Sequence, residues 1–324
     1  MEKNRNITFD VAKGIGIVLV VIGHYIPECA PVWYIDCMRF VYRFHMPLFF
    51  IIAGFFFDRS VKQVSYGALV WSKFKRLMVP YFILSWAVIG IKILFAGFLQ
   101  VDHPVTVAAL YRAFYLPEAG YYLWFVYVLF LIFCIAPIFK AGNRLILLTV
   151  LALGLSFWLS GPDIFCIRQF CHYFIFFVFG MWVSRVKQLE SAMYKYPLLW
   201  AAITVLFFFL YPPQPGGTLP AFPTIVSGIS GSFMVISTSY VICRSIPSKT
   251  KGLSYIGRLS MTIYLFHTLF MGGGKAILTY INLGGDIIEF ILSSLFIIGA
   301  GIVGPILLYK WVWAKNQFTA QIFK

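Results

Sequence analysis

The 324-residue chain carries 11% charged residues against 61% hydrophobic ones, with a mean hydropathy of +0.86. A soluble domain holds roughly 25% charge, so water is excluded as the main solvent, and the chain reads as one all-α polytopic membrane domain over residues 1–324 with no soluble domain. The net charge of +15 would suit nucleic acid, but the basic residues are placed as markers of one membrane face, so the partner they point to is the lipid bilayer and no nucleic acid is expected.

Apolar stretches able to cross a hydrocarbon core of about 30 Å, roughly 20 residues each, predict ten spans, near 8–27, 43–58, 77–99, 121–138, 145–160, 167–184, 197–211, 223–243, 259–281 and 288–309. With the N-terminus inside, the cytoplasmic segments hold Lys3 and Arg5; Arg59, Lys62, Lys73, Lys75 and Arg76; Lys140 and Arg144; Arg185, Lys187 and Lys195; Arg244, Lys249, Lys251 and Arg258; and Lys310, Lys315 and Lys324. The outer segments hold Arg39, Arg43, Arg112, Arg168 and Lys275. That asymmetry predicts an N-in, C-in orientation, and an even number of spans agrees with it. The connections are short, which puts any chemistry in the helices or at their mouths.

The first span, FDVAKGIGIVLVVIGHY, contains three ionisable groups, Asp10, Lys13 and His24. Such groups are costly in a membrane and mark function by default; they also set the segment apart from the apolar h-region of a cleaved signal peptide, so it reads as an anchor. Lys13 and His24 stand 11 positions apart, which returns to within about 20° of the same helix face at two depths separated by roughly 16 Å. Asp10 lies one turn before Lys13 and can pair with it. The plainer readings are a snorkelling Lys13 and a His24 bonded to a carbonyl at the interface. Gly14, Gly16 and Gly23 allow a neighbouring backbone or a slender ligand to approach closely.

The second span opens with Arg39, Arg43 and His45 beside Pro47, a cationic outer mouth suited to a sugar or an anionic acceptor; His45 is equally able to bond carbonyls freed by the proline. Lys73, Lys75 and Arg76 cluster before the third span, where phosphate is the natural partner and anionic headgroups or simple topology marking are the alternative. The outer segment 100–120 is the candidate lid, and the proline-rich connection 211–223 reads as an extended rigid loop. The run YYLWFVYVLF, with Tyr122 and Trp124, begins the fourth span as an interfacial belt or as a platform for a sugar ring. In the ninth span Ser260, Tyr264 and His267 fall on one face, as an interhelical seam or a tunnel wall. Six cysteines show no metal-ligand spacing and no metal is expected. Cys29 and Cys37 share an outer loop and Cys166 lies in another, an arrangement compatible with a disulfide, though structural thiols are the plainer reading.

The stretches FDVAKGIGIVLVVIGH, FHMPLFFIIAGFFF, KFKRLMVPYF, YYLWFVYVLF and LSMTIYLFH, in this order, resemble the acyltransferase-3 membrane family, especially its polysaccharide O-acetyltransferases of the fucose O-acetylase-like type. The hallmark of a basic residue, ten intervening residues and a histidine is matched by Lys13 and His24, with Lys where many members have Arg. The resemblance implies His24 as the catalytic histidine, Lys13 as its essential basic partner, and Lys75 with Arg76 at the motif expected to contact CoA phosphates. It also implies acyl-CoA, usually acetyl-CoA, as donor and a hydroxyl of a cell-envelope or lipid-linked carbohydrate as acceptor, at the inner (plasma) membrane. A separate envelope partner completes transfer if the membrane domain does not do so itself.

On this basis Lys73, Lys75, Arg76 and Tyr264 are expected along the donor path and Arg43, His45, Tyr122 and Trp124 around the acceptor. His24 would take the hydroxyl proton or form an acetyl-histidine, and Tyr264 or Tyr122 would steady the oxyanion. From another class, a transporter or flippase of an anionic or lipid-linked substrate would line a translocation path with the same cations and histidines.

Overall fold

The computed structural model describes residues 6–27, 30–62, 64–94, 105–118, 120–139, 144–158, 162–212, 220–278, 287–313 and 315, and among them there is no strand. In chain order the helices are α1 (Ile7–Gly23), α2 (Val32–Val41), α3 (His45–Phe55), α4 (Phe57–Val61), α5 (Tyr66–Lys73), α6 (Val79–Leu94) and α7 (Ala109–Arg112). They are followed by α8 (Trp124–Ile135), α9 (Arg144–Ser156), α10 (Ile167–Arg185), α11 (Lys187–Tyr194), α12 (Pro197–Leu210), α13 (Ala221–Ser245), α14 (Thr250–Arg258), α15 (Ser260–Leu278) and α16 (Ile287–Leu308). A π-helical turn over Phe74–Met78 joins α5 to α6.

Five stretches are long and apolar enough to cross a membrane: Tyr66–Leu94, Tyr121–Phe139, Ile164–Arg185, Ala221–Ser245 and Ile288–Trp313. The pair α11 and α12, bent by 86°, makes a sixth when counted as one broken span. The corner has a local cause. Tyr196 takes a left-handed φ of 60°, Pro197 starts the new helix, and the Trp200 indole donates to the carbonyls of Ala192 at 3.1 Å and Lys195 at 2.9 Å at the end of the broken ladder. The protein is thus a multi-pass helical membrane protein.

Ten spans are expected from the sequence, and the remaining four coincide with α1 (17 residues), α3 (11 residues), α9 (13 residues) and α15 (19 residues). These are shorter or more polar than the other six. For α1, α3 and α15 the reason is position. They pack against one another and against α10, α13, α14 and α16, so much of their surface meets protein instead of lipid and is released from the demand for a long apolar cylinder.

Two glycine contacts set the close spacing of this interior. A Cβ on Gly54 would collide with the Phe177 carbonyl and one on Gly180 with the Ile51 carbonyl, which brings α3 and α10 into backbone contact. In the same way a Cβ on Gly14 would meet the Leu253 carbonyl, and one on Gly257 the carbonyl of Asp10. The second contact draws α14 against the start of α1 and so brings Arg258 to the level of Lys13. At the same end Arg185 donates twice to the Asp58 carboxylate, at 2.7 Å each, pinning α4 to the end of α10. Cys37, Cys134, Cys166, Cys171 and Cys243 are free thiols, and Cys29 lies outside the described residues.

Candidate functional site

A cavity of 710 Å³ opens among the N-terminal half of α1, α3, the π-helical turn, α8, α14 and α15, a size usual for small-molecule sites. Its walls come from helical periodicity. Phe125, Leu129 and Phe133 recur every fourth residue along α8, and Phe49, Ile52, Ala53 and Phe56 occupy one face of α3. Four cations line it: Lys13, Lys73, Arg76 and Arg258. The Lys13 ammonium sits 2.9 Å from the Asp10 carboxylate, the pairing expected from their i, i+3 spacing, with 25% of the lysine side chain and 4% of the aspartate side chain exposed. The Lys73 ammonium lies over the Phe133 ring, 3.9 Å from its centre. Ser260 and Tyr264 contribute the polar side of α15.

His24 is not in the cavity wall. It caps α1 immediately after Gly23, one layer beyond Tyr264. That layer is aromatic. Tyr264 donates its hydroxyl to the carbonyl of Tyr122, while Tyr122 donates to the carbonyl of Leu265 at 3.0 Å, so the two rings, 6.0 Å apart between centres, are latched to each other's segment. Behind them the His24 ring lies 6.1 Å from Tyr122 and 4.8 Å from His267. Nδ1 of His24 faces the Val20 carbonyl at 2.8 Å. Since a carbonyl only accepts, Nδ1 carries the proton and Nε2 presents a lone pair. This is the tautomer a general base requires.

The cationic motif divides. Lys73 and Arg76 are three positions apart and line the cavity, whereas Lys75, exposed like Arg76, does not line it and has its ammonium 5.8 Å from the centre of the Trp71 ring. Around the acceptor the expected group separates further. Arg43 is buried, donates to the Tyr211 carbonyl and lies 5.5 Å from the centre of the Phe208 ring, against α12 instead of an open mouth. His45 is buried with Nδ1 donating to the Val41 carbonyl at 3.0 Å, and its ring packs on Tyr42 at 4.9 Å. Trp124 stacks on Tyr173 with ring centres 4.7 Å apart. Tyr122 belongs to the layer between the cavity and His24. The candidate lid 100–120 and the connection 211–223 each fall partly outside the described residues.

Two residues gain a place that sequence reading did not give them. Arg258 counted there only as a topology marker, and His267 only as part of a polar stripe. The adjacent Gly257, at the head of the motif around Tyr264, is the signal that would have drawn attention to Arg258.

Residues 6–310 match the family model described as an acyltransferase domain. The chain belongs to this acyltransferase family. The nodulation protein NolL of Sinorhizobium fredii (strain NBRC 101917 / NGR234) is 31% identical over 147 residues, 44% of this chain and 38% of NolL. NolL of Mesorhizobium japonicum (strain LMG 29417 / CECT 9101 / MAFF 303099) is 34% identical over 88 residues, 26% of this chain and 23% of that relative. The matched stretches cover well under half of either relative. No solved structure matches the chain.

Proposed function

We propose that this chain is an O-acyltransferase of the inner (plasma) membrane that takes an acyl group, acetyl above all, from cytoplasmic acyl-CoA and passes it to a hydroxyl of an envelope or lipid-linked carbohydrate. The observation that carries the reading is the cavity of 710 Å³ lined by four cations and long apolar walls, ending one aromatic layer short of a histidine with a bare Nε2. Clustered cations suit phosphates, and narrow walls of Phe, Leu and Ile suit the slender arm that carries a thioester. With ten spans and both termini inside, the cavity faces the cytoplasm and His24 the opposite half of the bilayer, which accounts for a donor and an acceptor arriving from different sides.

Lys73, Arg76 and Arg258 hold the phosphates, and Lys13, steadied by Asp10, completes the cationic lining where α1 enters the cavity. His24 Nε2 takes the proton of the acceptor hydroxyl as its oxygen bonds to the acyl carbon. The carbon–sulfur bond breaks, and the same imidazole returns the proton to the departing thiolate. For this the Tyr264 and Tyr122 rings move aside, since in the structure they stand between the cavity and the histidine.

The purified protein in detergent is expected to release thiol slowly from acetyl-CoA and to gain thermal stability from CoA. His24→Ala is expected to abolish thiol release while leaving CoA stabilisation intact. Retained activity in that variant removes His24 from the base role, and stabilisation with no acyl consumption by the unsubstituted protein favours a transporter.

A further inference from the structure

We infer that His267 is a positioning residue for the reaction, forming with His24 an imidazole pair that shares the transferred proton. The inference rests on the acyltransferase reading and adds to it a second histidine with a defined task. His267 sits in the middle of α15 and is fully buried. Its Nδ1 faces two carbonyl oxygens, Tyr264 at 2.7 Å and Ile263 at 3.1 Å. Both are acceptors, so Nδ1 is the protonated nitrogen and Nε2 carries the lone pair. That Nε2 has no hydrogen-bond partner in a fully enclosed position, a costly arrangement for a polar atom in a membrane interior.

The neighbour explains the cost. The His24 ring stands 4.8 Å away, edge to face at 79°, and its own Nδ1 is likewise committed to a backbone carbonyl. Two imidazoles each presenting a bare Nε2 cannot bond one another. A single added proton changes that, because a turn of either ring then brings an imidazolium N–H onto the lone pair of the other. The site is therefore arranged for the charged intermediate and left unsatisfied in its resting form. A lone pair held next to the place where the charge develops stabilises that charge once the ring turns onto it.

The proton balance is closed. The acceptor hydroxyl loses its proton to His24 Nε2, His267 Nε2 accepts a hydrogen bond from the resulting imidazolium, and the proton leaves on the thiolate as the carbon–sulfur bond breaks. His267 keeps its own Nδ1 proton throughout. The titratable groups facing the pair are Tyr122 from the turn before α8, Tyr264 from α15, Tyr42 after α2 and His45 from α3. All four already bond to backbone carbonyls: the Tyr122 hydroxyl to Leu265 at 3.0 Å, the Tyr42 hydroxyl to Gly23 at 2.8 Å, the Tyr264 hydroxyl to Tyr122, and His45 Nδ1 to Val41 at 3.0 Å. His267 Nε2 is a buried lone pair beside His24 that has no hydrogen-bond partner.

The test uses full-length protein in detergent with acetyl-CoA as probe and thiol release as readout. His267→Phe keeps a planar ring in the enclosed site but removes the lone pair, and His267→Gln restores an acceptor oxygen. The expected result is a fall in kcat on the order of 10²-fold for His267→Phe, with KM for acetyl-CoA and the CoA-induced rise in Tm unchanged, and partial recovery of kcat in His267→Gln. A kcat for His267→Phe within about twofold of the unsubstituted protein overturns the inference, as does an equal loss in the two variants, which would mark a packing role. Absence of thiol release by the unsubstituted protein overturns the acyltransferase reading and this inference with it.

Discussion

Arg258→Gln separates a cavity defined by geometry from a motif defined by sequence position. Arg258, Arg76 and Lys73 line the cavity, while Lys75, one residue from Arg76, does not. A charged hydrogen bond contributes about 1.5–3 kcal/mol net. Arg258 is half-buried at the cavity wall, so solvent screening brings the loss to the lower end, and about 1.4 kcal/mol corresponds to tenfold in Kd. Titration of CoA into purified protein by calorimetry is expected to show roughly tenfold weaker binding for Arg258→Gln. Lys75→Gln is expected to change Kd by less than about twofold, in keeping with an exposed charge far from its ligand. Pantetheine, which has no phosphates, serves as the control and is expected to bind both variants as it binds the unsubstituted protein. An equal weakening by Lys75→Gln, or none by Arg258→Gln, would refute the placement of the phosphates in this cavity.

The glycine contact between α1 and α14 gives a second prediction. Gly257→Ala forces a methyl group against the Asp10 carbonyl, a backbone atom with no flexible end to yield, and is expected to cost about 1–3 kcal/mol as a lowered unfolding temperature, with weaker CoA binding as Arg258 is displaced. Gly252→Ala, on the same helix with nothing within 4 Å, is expected to be neutral or stabilising by up to about 1 kcal/mol. The Asp10–Lys13 pair gives a third. Lys13→Met removes the ammonium 2.9 Å from the Asp10 carboxylate, whose side chain is 4% exposed, and is expected to destabilise more than the double variant Asp10→Asn/Lys13→Met, because a buried carboxylate that loses a cationic partner costs more than removal of the pair. Equal Tm values for the single and double variants would count against it.

Much of the site was legible as a list of residues and little of it as an arrangement. Lys13 and His24 are separated along α1 as helical geometry requires, but periodicity does not report that an aromatic layer lies between the cavity and the histidine. That layer is built by Tyr122 and Tyr264, which are 142 residues apart in the chain and held by hydrogen bonds to backbone. The cluster from Lys73 to Arg76 was visible, yet the π-helical turn that begins at Phe74 alters the phase of the helix, so which of its cations face inward is not readable from α-helical spacing. Arg43 looked like an open cationic mouth because its partner, the Tyr211 carbonyl, is 168 residues away. The apolar segments themselves were plain, whereas their lengths were not. Those enclosed by neighbours, such as α3 and α1, do not obey the lipid-derived yardstick that the outer helices follow.

The edge-to-face rings of Tyr122 and Tyr264 also bear on the cell's energy supply. A bilayer stores work as a voltage and a proton gradient, and any continuous wet path through it would act as a short circuit. By ending the cavity blindly against hydrocarbon-like rings, the fold keeps the film insulating at rest, so that a small acyl fragment has to cross where hydrated ions do not.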